Sequence, residues 1–281
     1  MKFSNVAKAL AIGLVLPLLS GCQIGGPPKA SLAASETGYF SFPTTTPWNG
    51  RNTPIGGTLS LPDDGAGPFS TIVLVHSGDG IDYSETQWER HYLRHGYAVF
   101  MLDYMAPRGV GRANTRRYPR GGYDVVDAVK VLSTHPRLDK DRFAVQGFSN
   151  GGTVTAASVT IFEGEDEVPT PRAFILTYGG CSQIGRLSIG TRMPEDATYL
   201  FLVGSEDKTV IPESCVRAAK LLNERNVDAT AILFPGVYHG FDDIESKVVS
   251  TKWGTQVMQP DSAATEASYR EALAALKRAF N

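Results

Sequence analysis

Residues 142–161 read RFAVQGFSNGGTVTAASVTI, a strand-like segment followed at once by a helix-like segment. We interpret Arg142–Gln146 as a buried strand and Gly151–Ile161 as a helix. Between them stands Gly147-Phe148-Ser149-Asn150-Gly151, a G-x-S-x-G pattern. Because it joins a strand to a helix, this pattern predicts a turn so tight that only small residues can flank it. Such a turn lifts the Ser149 hydroxyl clear of the sheet.

Strands and helices alternate on both sides of this turn. The domain opens with two β-like segments, at Gly38–Phe42 and Gly57–Leu61. Continuous apolar runs then predict five further buried strands, at Thr71–Val75, Tyr97–Leu102, Ala173–Thr177, Thr198–Val203 and Ala229–Phe234. Helical segments fall at Thr86–His95, Tyr123–Leu132, Glu213–Glu224 and Ala263–Phe280. This order predicts an α/β fold in which a mostly parallel central sheet carries helices on both faces. We expect a single domain over residues 37–281.

Composition narrows the class of protein. The chain has 281 residues, of which 42% are hydrophobic, so it can bury a full core. Its 27 basic and 29 acidic residues leave a net charge of −2, which argues against nucleic-acid binding. The five histidines form no HExxH pattern and have no CxxC companion, so we predict neither a metal site nor a cofactor.

The first 21 residues have the composition of an export signal. Lys2 and Lys8 precede an apolar run that is too short to span a membrane, and Ser20-Gly21 precede Cys22. The sequence Leu19-Ser20-Gly21-Cys22 resembles the bacterial lipobox, in which the cysteine is acylated; the alternative is an ordinary signal peptide with an accidental cysteine. Because Gln23 follows, the resemblance implies a lipoprotein of the outer membrane, exported to the periplasm. We interpret residues 22–36, small and polar, as a flexible tether.

Only two other cysteines remain if Cys22 carries lipid. Cys181 and Cys215 would both face an oxidising compartment, where they can pair as a disulfide. Two separate buried thiols are the alternative, because the sequence fixes no distance between them.

A serine needs a base, and the chain offers few candidates. In folds with this nucleophile turn the chain order is nucleophile, acid, histidine, and His239 is the only histidine after Ser149. The acid should follow the strand that ends at Val203, where Asp207 is the first choice and Glu206 the second. Its role would be to hold the histidine tautomer and stabilise the imidazolium.

The developing oxyanion requires two backbone donors. One is the N–H of Asn150, the residue after the nucleophile. The other should come from the loop His76-Ser77-Gly78-Asp79-Gly80, in which Gly78 is the first choice and Ser77 the second; an ordinary glycine turn is the alternative.

From about residue 55 onward the chain resembles the dienelactone hydrolase family of α/β-hydrolases. The matching segments are His76–Gly80, Leu102–Gly109, Gly147–Gly151, Tyr178–Cys181, Gly204–Asp207 and His239–Phe241. The resemblance implies an α/β-hydrolase fold with little or no cap, acting on small esters or lactones without a metal, and its G-x-x-D-x-x-V pattern favours Asp207. Exported relatives carry cysteines near Cys181 and Cys215, which supports their pairing. The namesake enzymes use a cysteine where this sequence has Ser149, so carboxylic-ester hydrolysis is implied rather than dienelactone as the substrate.

The loop after the second buried strand is rich in arginine. Arg108, Arg112, Arg116, Arg117 and Arg120 lie in Tyr104–Arg120, at the sheet edge where open α/β sheets bind ligands. They could pair with a substrate carboxylate, or they could be tied to neighbouring acids in a solvated loop. We name Arg108, together with Phe148 beside the nucleophile, as candidate substrate contacts.

These features predict a serine hydrolase that cleaves a small-molecule carboxylic ester or lactone through an acyl-enzyme, using Ser149, His239 and Asp207. Two alternatives remain: a serine peptidase similar to prolyl oligopeptidase, and a non-catalytic surface lipoprotein. Membrane attachment would be through the N-terminal lipid alone.

Overall fold

The structure, a computed structural model, describes residues 26–111, 119, 121–189, 193–251 and 254–281. The predicted signal peptide, Cys22, and the arginines at 112, 116, 117 and 120 lie outside these residues. No helix within the described ranges is long and apolar enough to cross a membrane.

One large sheet organises the described chain. Its strands are β1 (Gly38–Phe42), β2 (Ile55–Ser60), β3 (Phe69–Val75), β4 (Ala98–Asp103), β5 (Leu138–Phe148), β6 (Ala173–Thr177), β7 (Thr198–Gly204) and β8 (Ala229–Phe234), in the spatial order β1-β2-β4-β3-β5-β6-β7-β8. β2 is antiparallel to both of its neighbours, and all pairs from β4 to β8 are parallel. The parallel strands therefore all end at one edge, which we call the carboxyl edge.

Helices cover both faces of this sheet, as predicted. They are α1 (Tyr83–Arg94), α2 (Gly122–Leu132), α3 (Asn150–Phe162), α4 (Cys181–Leu187), α5 (Pro212–Asn223) and α6 (Ser262–Phe280). One apolar cluster joins α1 and α6 to the sheet through Trp88, Tyr92 and Leu276. The other joins the opposite face to α2, α3 and α5, for example through Val129 and Val159. Because both faces are covered, β3 and β7 are apolar along most of their length.

Three elements were not predicted: the helix α4, a 3₁₀ turn at Ala106–Arg108, and a hairpin of β9 (Lys247–Thr251) and β10 (Gly254–Met258). The hairpin lies beside the loop after β8, since His239 forms a parallel bridge with Met258.

Residues 26–36, which belong to the segment predicted as a flexible tether over residues 22–36, contact the domain at several points, although most of their side chains are exposed. Leu32 is buried in the core cluster that contains α2, and its N–H donates to Thr134 Oγ1 at 3.0 Å. The N–H of Lys29 donates to Ser41 O of the edge strand β1 at 2.7 Å. Two physical causes explain these contacts. Burial of Leu32 removes its apolar surface from water, which stabilises the fold. The edge strand β1 has unpaired backbone groups, and one of its carbonyl oxygens accepts the hydrogen bond from Lys29. We call residues 26–36 the N-terminal strap.

Candidate active site

The turn between β5 and α3 holds Ser149 in a strained backbone conformation. Its φ is +51° and its ψ is −111°, a region that residues with a side chain rarely adopt. The flanking glycines are required by close backbone contacts: a Cβ on Gly147 would stand 2.2 Å from Gly151 O, and one on Gly151 would stand 2.0 Å from Val75 O. The small residues predicted around the serine are thus imposed by the close approach of α3 to β3 and to the end of β5.

Ser149, His239 and Asp207 form a continuous hydrogen-bonded chain. His239 Nε2 lies 2.9 Å from Ser149 Oγ, and His239 Nδ1 lies 2.7 Å from Asp207 Oδ2. The acid and the histidine are both buried, with 3% and 2% of their surfaces exposed. With its proton on Nδ1, the histidine donates to the carboxylate and accepts from the serine hydroxyl, which is the arrangement that makes a serine nucleophilic.

The loop after β7 orients the acid. The second oxygen of Asp207, Oδ1, accepts the N–H groups of Thr209 and Val210 at 2.7 and 2.9 Å. This loop touches the histidine loop through Gly204, where a Cβ would stand 2.1 Å from Val237 O. Glu206, the second candidate acid, is 44% exposed at its side chain and pairs with Lys208 at 3.4 Å, so it does not face His239.

The loop after β3 brings Gly78 to the cavity beside Ser149. The N–H of Ser77 donates to Glu85 Oε1 at 2.9 Å, the N–H of Asp79 to Ser77 Oγ at 3.2 Å, and the N–H of Gly80 to Ser77 O at 3.3 Å. Among Ser77, Gly78, Asp79 and Gly80, Gly78 is therefore the one whose amide makes no hydrogen bond within the described part of the chain, and it is left for a ligand. The second expected donor, Asn150 N, opens α3 directly after the serine.

Sequence reasoning missed Glu85, which fixes this loop. It is the N3 residue of a capping box on α1: Asp82 accepts from Ser84 N, and Glu85 Oε2 accepts from Asp82 N at 3.0 Å. Burial, followed by the neighbouring Asp82 carboxylate, raises the pKa of Glu85 well above its ordinary value. The D-x-x-E spacing from Asp82 to Glu85 is the sequence pattern that could have predicted this capping box.

A second network joins the two loops that carry the candidate donors. The amide of Asn150 donates through Nδ2 to Tyr104 Oη at 2.7 Å, and Tyr104 Oη donates to His76 O at 3.3 Å. The His76 ring stacks on the Tyr104 ring with centroids 4.3 Å apart, and His76 Nδ1 lies 2.7 Å from Ser77 O. His76 therefore contacts the loop backbone and is not part of the chain formed by Ser149, His239 and Asp207.

A buried carboxyl group behind His239 was also missed. Asp242 accepts hydrogen bonds from Tyr178 Oη at 2.6 Å and from Trp88 Nε1 at 2.7 Å, and burial raises its pKa. The ring of Tyr178 packs against the His239 ring, with centroids 4.7 Å apart. Asp242 thus holds the aromatic ring that supports the histidine.

These groups surround a cavity of about 860 Å³ at the carboxyl edge. Ser77, Gly78, Ser149, Asn150 and His239 lie on its wall, and the hairpin adds Val249, Gln256 and Met258. The wall also carries four acidic residues, Asp79, Asp82, Glu85 and Asp243. It brings together the predicted serine, histidine and donor residues, with the acid behind the histidine.

Neither candidate substrate contact reaches the cavity. Arg108 is 2% exposed at its side chain; its guanidinium pairs with both oxygens of the buried Asp124 and donates to Tyr104 O at 2.9 Å. Phe148 is fully buried against Trp88 and points away from the cavity lining. Both predictions are wrong, because Arg108 satisfies a buried acid, which was the alternative left open, and Phe148 packs into the core.

Cys181 and Cys215 form a disulfide that joins α4 to α5, as predicted. Their Cα atoms are 4.7 Å apart, and the bridge spans 34 residues of sequence. Within the described chain, no group of three or more histidine, cysteine or acidic side chains could hold a metal ion.

The sheet order and the nucleophile turn define an α/β-hydrolase fold. The chain belongs to the dienelactone hydrolase family, whose sequence profile matches residues 55–280, and it is a hydrolase of that type.

Individual relatives are distant. Acylamino-acid-releasing enzyme 1 of Oryza sativa subsp. japonica is 23% identical over 217 residues, which is 63% of this chain and 28% of that enzyme. This chain thus spans less than a third of the length of that relative. A dienelactone hydrolase-like promiscuous phosphotriesterase from metagenomic libraries superposes with a TM-score of 0.63 at 17% identity, covering 85% of this chain and 97% of the other. Thermogutta terrifontis esterase 2, phosphorylated by paraoxon, gives a TM-score of 0.57 at 16% identity, covering 83% and 91%. At these identities the structural likeness concerns the fold alone.

Proposed function

We propose that this protein is a serine hydrolase that cleaves a carboxylic ester or a lactone through an acyl-enzyme intermediate. The observation that carries the proposal is the hydrogen-bonded chain from Asp207 through His239 to Ser149 at the wall of an accessible cavity. The family supplies the hydrolase class, and the side chains supply the proposed chemistry.

The proposed reaction has two stages. Ser149 Oγ attacks the ester carbonyl while His239 Nε2 takes its proton, and the resulting oxyanion accepts the N–H groups of Asn150 and Gly78. The imidazolium then gives the proton to the leaving alcohol, and the acyl group stays on Ser149. In the second stage water attacks this acyl group, again with His239 as the base, and releases the acid. Asp207 remains ionised and stabilises the imidazolium.

The site of action is a further part of the proposal. The lipobox-like Leu19–Cys22 supports acylation of Cys22 after export, and Gln23 supports the outer membrane as the destination. The Cys181–Cys215 disulfide fits an oxidising compartment such as the periplasm. Replacing Cys22 with serine should move the protein from the membrane fraction to the soluble fraction without loss of specific activity.

Amide hydrolysis is the second candidate function. It is favoured by the similarity to the rice acylamino-acid-releasing enzyme. The imidazolium of His239 can give its proton to a leaving amine as well as to a leaving alcohol.

One experiment tests both candidates. The protein, with its Cys181–Cys215 disulfide intact, is labelled with a fluorophosphonate. It is also assayed on a panel of p-nitrophenyl esters, lactones and peptide amides, and Ser149→Ala is the control for both measurements. The proposal predicts labelling of the native protein, none of the variant, and turnover of esters or lactones well above that of amides. Labelling with amide turnover alone would favour the peptidase, and absence of labelling would contradict a serine hydrolase.

A further inference from the structure

The path of the N-terminal strap determines where an anchored chain would leave the domain. At one end of the strap, Glu36 O lies 3.0 Å from His135 Nε2, two residues before β1 begins. At the other end, Ser41 Oγ donates to Gly26 O at 3.3 Å, beside the bond from Lys29 N to Ser41 O. The strap therefore runs back along β1, from the start of that strand toward its end.

The end of β1 lies at the carboxyl edge of the sheet. Ser41 is opposite Gly56, and Gly56 is opposite Asp103, the last residue of β4. In the next strands, Val75 of β3 is opposite Leu102 of β4 and Gly147 of β5. These residues therefore lie at the same height along the strands as Ser41 to within about one residue. Gly26 thus lies at the same edge as Ser149. Four strand spacings separate β1 from β5, which is about 19 Å.

The distance from Gly26 to the anchor is short. Only four peptide steps separate it from Cys22, and these can span at most about 14 Å. If the strap did not pack on the domain, the chain would leave the domain at Gly38, at the opposite edge of the sheet. The extended segment between Gly38 and Cys22 could then span about 50 Å. A lipid anchor on Cys22 would therefore lie within about 14 Å of the carboxyl edge.

We propose that the lipid on Cys22 holds the carboxyl edge of the domain against a phospholipid bilayer, with the mouth of the cavity facing the membrane. This inference rests on the acylation of Cys22 and, for its catalytic consequence, on the ester hydrolysis proposed above. An ester dissolved in the bilayer then enters the cavity from the membrane side, so the substrate class is an amphipathic or lipid-like ester.

Four exposed apolar side chains neighbour the cavity wall in sequence. Ile81 and Tyr83 are each 43% exposed, Ile211 is 64% exposed and Ile244 is 57% exposed. Each of them adjoins in sequence a residue that lines the cavity, namely Asp82, Val210 or Asp243. Single exposed apolar residues are ordinary, but these four adjoin three separate segments of one cavity wall and are suited to the interface of a bilayer.

Position-specific quenching tests the orientation. The lipidated full-length protein is reconstituted in phosphatidylcholine vesicles that contain spin-labelled lipid, and a bimane is attached to a single introduced cysteine. Ile244→Cys reports on the carboxyl edge. The matched control is Ile189→Cys. Ile189 is 70% exposed and lies beyond the end of α4, toward the opposite edge of the sheet. The disulfide occupies Cys181 and Cys215, so labelling without reductant is confined to the new thiol.

We expect quenching at position 244 to exceed that at position 189 several-fold. Equal quenching, or stronger quenching at 189, would overturn the orientation. Recovery of the native protein in the soluble fraction would overturn it as well, because the anchor would be absent.

An insertion of 20 glycine and serine residues after Gly25 tests the catalytic consequence. We expect turnover of a long-chain p-nitrophenyl ester held in the vesicles to fall several-fold, with turnover of soluble p-nitrophenyl acetate unchanged. Equal retention of both activities would contradict membrane-side entry. If the native protein turns over neither ester, the proposed hydrolysis fails, whereas the quenching result still decides the orientation.

Discussion

The Glu85 carboxylate accepts the backbone N–H of Ser77 at 2.9 Å, which ties α1 to the loop that carries Gly78. The other Glu85 oxygen accepts from Asp82, so both oxygens are used within the turn. This contact satisfies the Ser77 amide, whereas the Gly78 amide, on the same cavity wall as Ser149, is left for a ligand. In the proposed mechanism Glu85 is a positioning residue for the oxyanion donor.

Glu85→Gln should lower kcat about tenfold with little change in KM. Glu85 accepts the N–H groups of Ser77 and Asp82, and in the variant one of these N–H groups faces an amide NH₂ that cannot accept it. The loop that carries Gly78 then relaxes. Steady-state kinetics on a soluble p-nitrophenyl ester measure this split. Glu89→Gln, on the same helix but bonded to Ser60, is the matched control and should be near native. A native kcat for Glu85→Gln, or a loss confined to KM, would contradict the positioning role.

Asp207→Asn should lower kcat by about 10³- to 10⁴-fold, since the amide no longer holds the histidine proton on Nδ1. Glu206→Gln removes a neighbouring carboxylate that pairs with Lys208 at the surface, so it should leave kcat within about twofold of native. Kinetics of the two variants choose between the two candidate acids. A large loss in Glu206→Gln, with Asp207→Asn active, would reverse the assignment.

Removing the disulfide should affect both stability and activity. The chain-entropy account gives a bridge over 34 residues about 3–4 kcal/mol, which for a domain of this size is a fall in Tm of about 6–16 °C. Activity should fall too, because Cys181 follows Gly179, which packs against Ser149 O, and Cys215 follows the Asp207 loop. Calorimetry and ester turnover of a Cys181→Ser, Cys215→Ser double variant measure both effects. Two freely alkylatable thiols in the exported protein would contradict the bridge.

His91 should make the fold sensitive to acid. It packs on Tyr269 with ring centroids 4.2 Å apart, and burial, with lesser contributions from His95 and Arg94, lowers its pKa to about 4. Since an unfolded histidine titrates near 6.5, the unfolded chain binds the proton first as the pH falls. Stability should therefore be lost between about pH 6.5 and pH 4, by up to about 3 kcal/mol.

The matched variant for this prediction is His91→Phe, which keeps a ring on Tyr269 but cannot take up a proton. Denaturant unfolding at pH 7 and pH 4.5 should show a smaller loss of stability for the variant than for the native protein. Equal losses would mean that other groups account for the acid sensitivity.

Much of this architecture was predictable because each parallel strand is buried on both faces and so appears as an apolar run. Thr71–Val75 and Thr198–Val203 are examples, and they agree with β3 and β7 to within two residues. Ser149, Asp207 and His239 were predictable from chain order, since each follows a strand and the carboxyl ends of parallel strands meet at one edge.

What could not be predicted depends on contacts between distant segments. Leu32 stands in a small, polar sequence typical of a linker, and nothing local indicates that it is buried beside Thr134. The pairing of Arg108 with Asp124 joins two segments 16 residues apart, so its arginine was indistinguishable from a substrate contact. Asp242 looks like any loop acid until Tyr178 and Trp88 are brought to it.

The esterase activity of Ser149→Ala tests the central claim most directly. The substrate is soluble p-nitrophenyl acetate, and circular dichroism verifies the fold. The control is Ser133→Ala, at the end of α2, where the serine Oγ donates to Lys130 O. The proposed mechanism predicts a loss of at least about 10³-fold in kcat for Ser149→Ala and near-native turnover for Ser133→Ala. A folded Ser149→Ala protein with near-native esterase activity would contradict the mechanism.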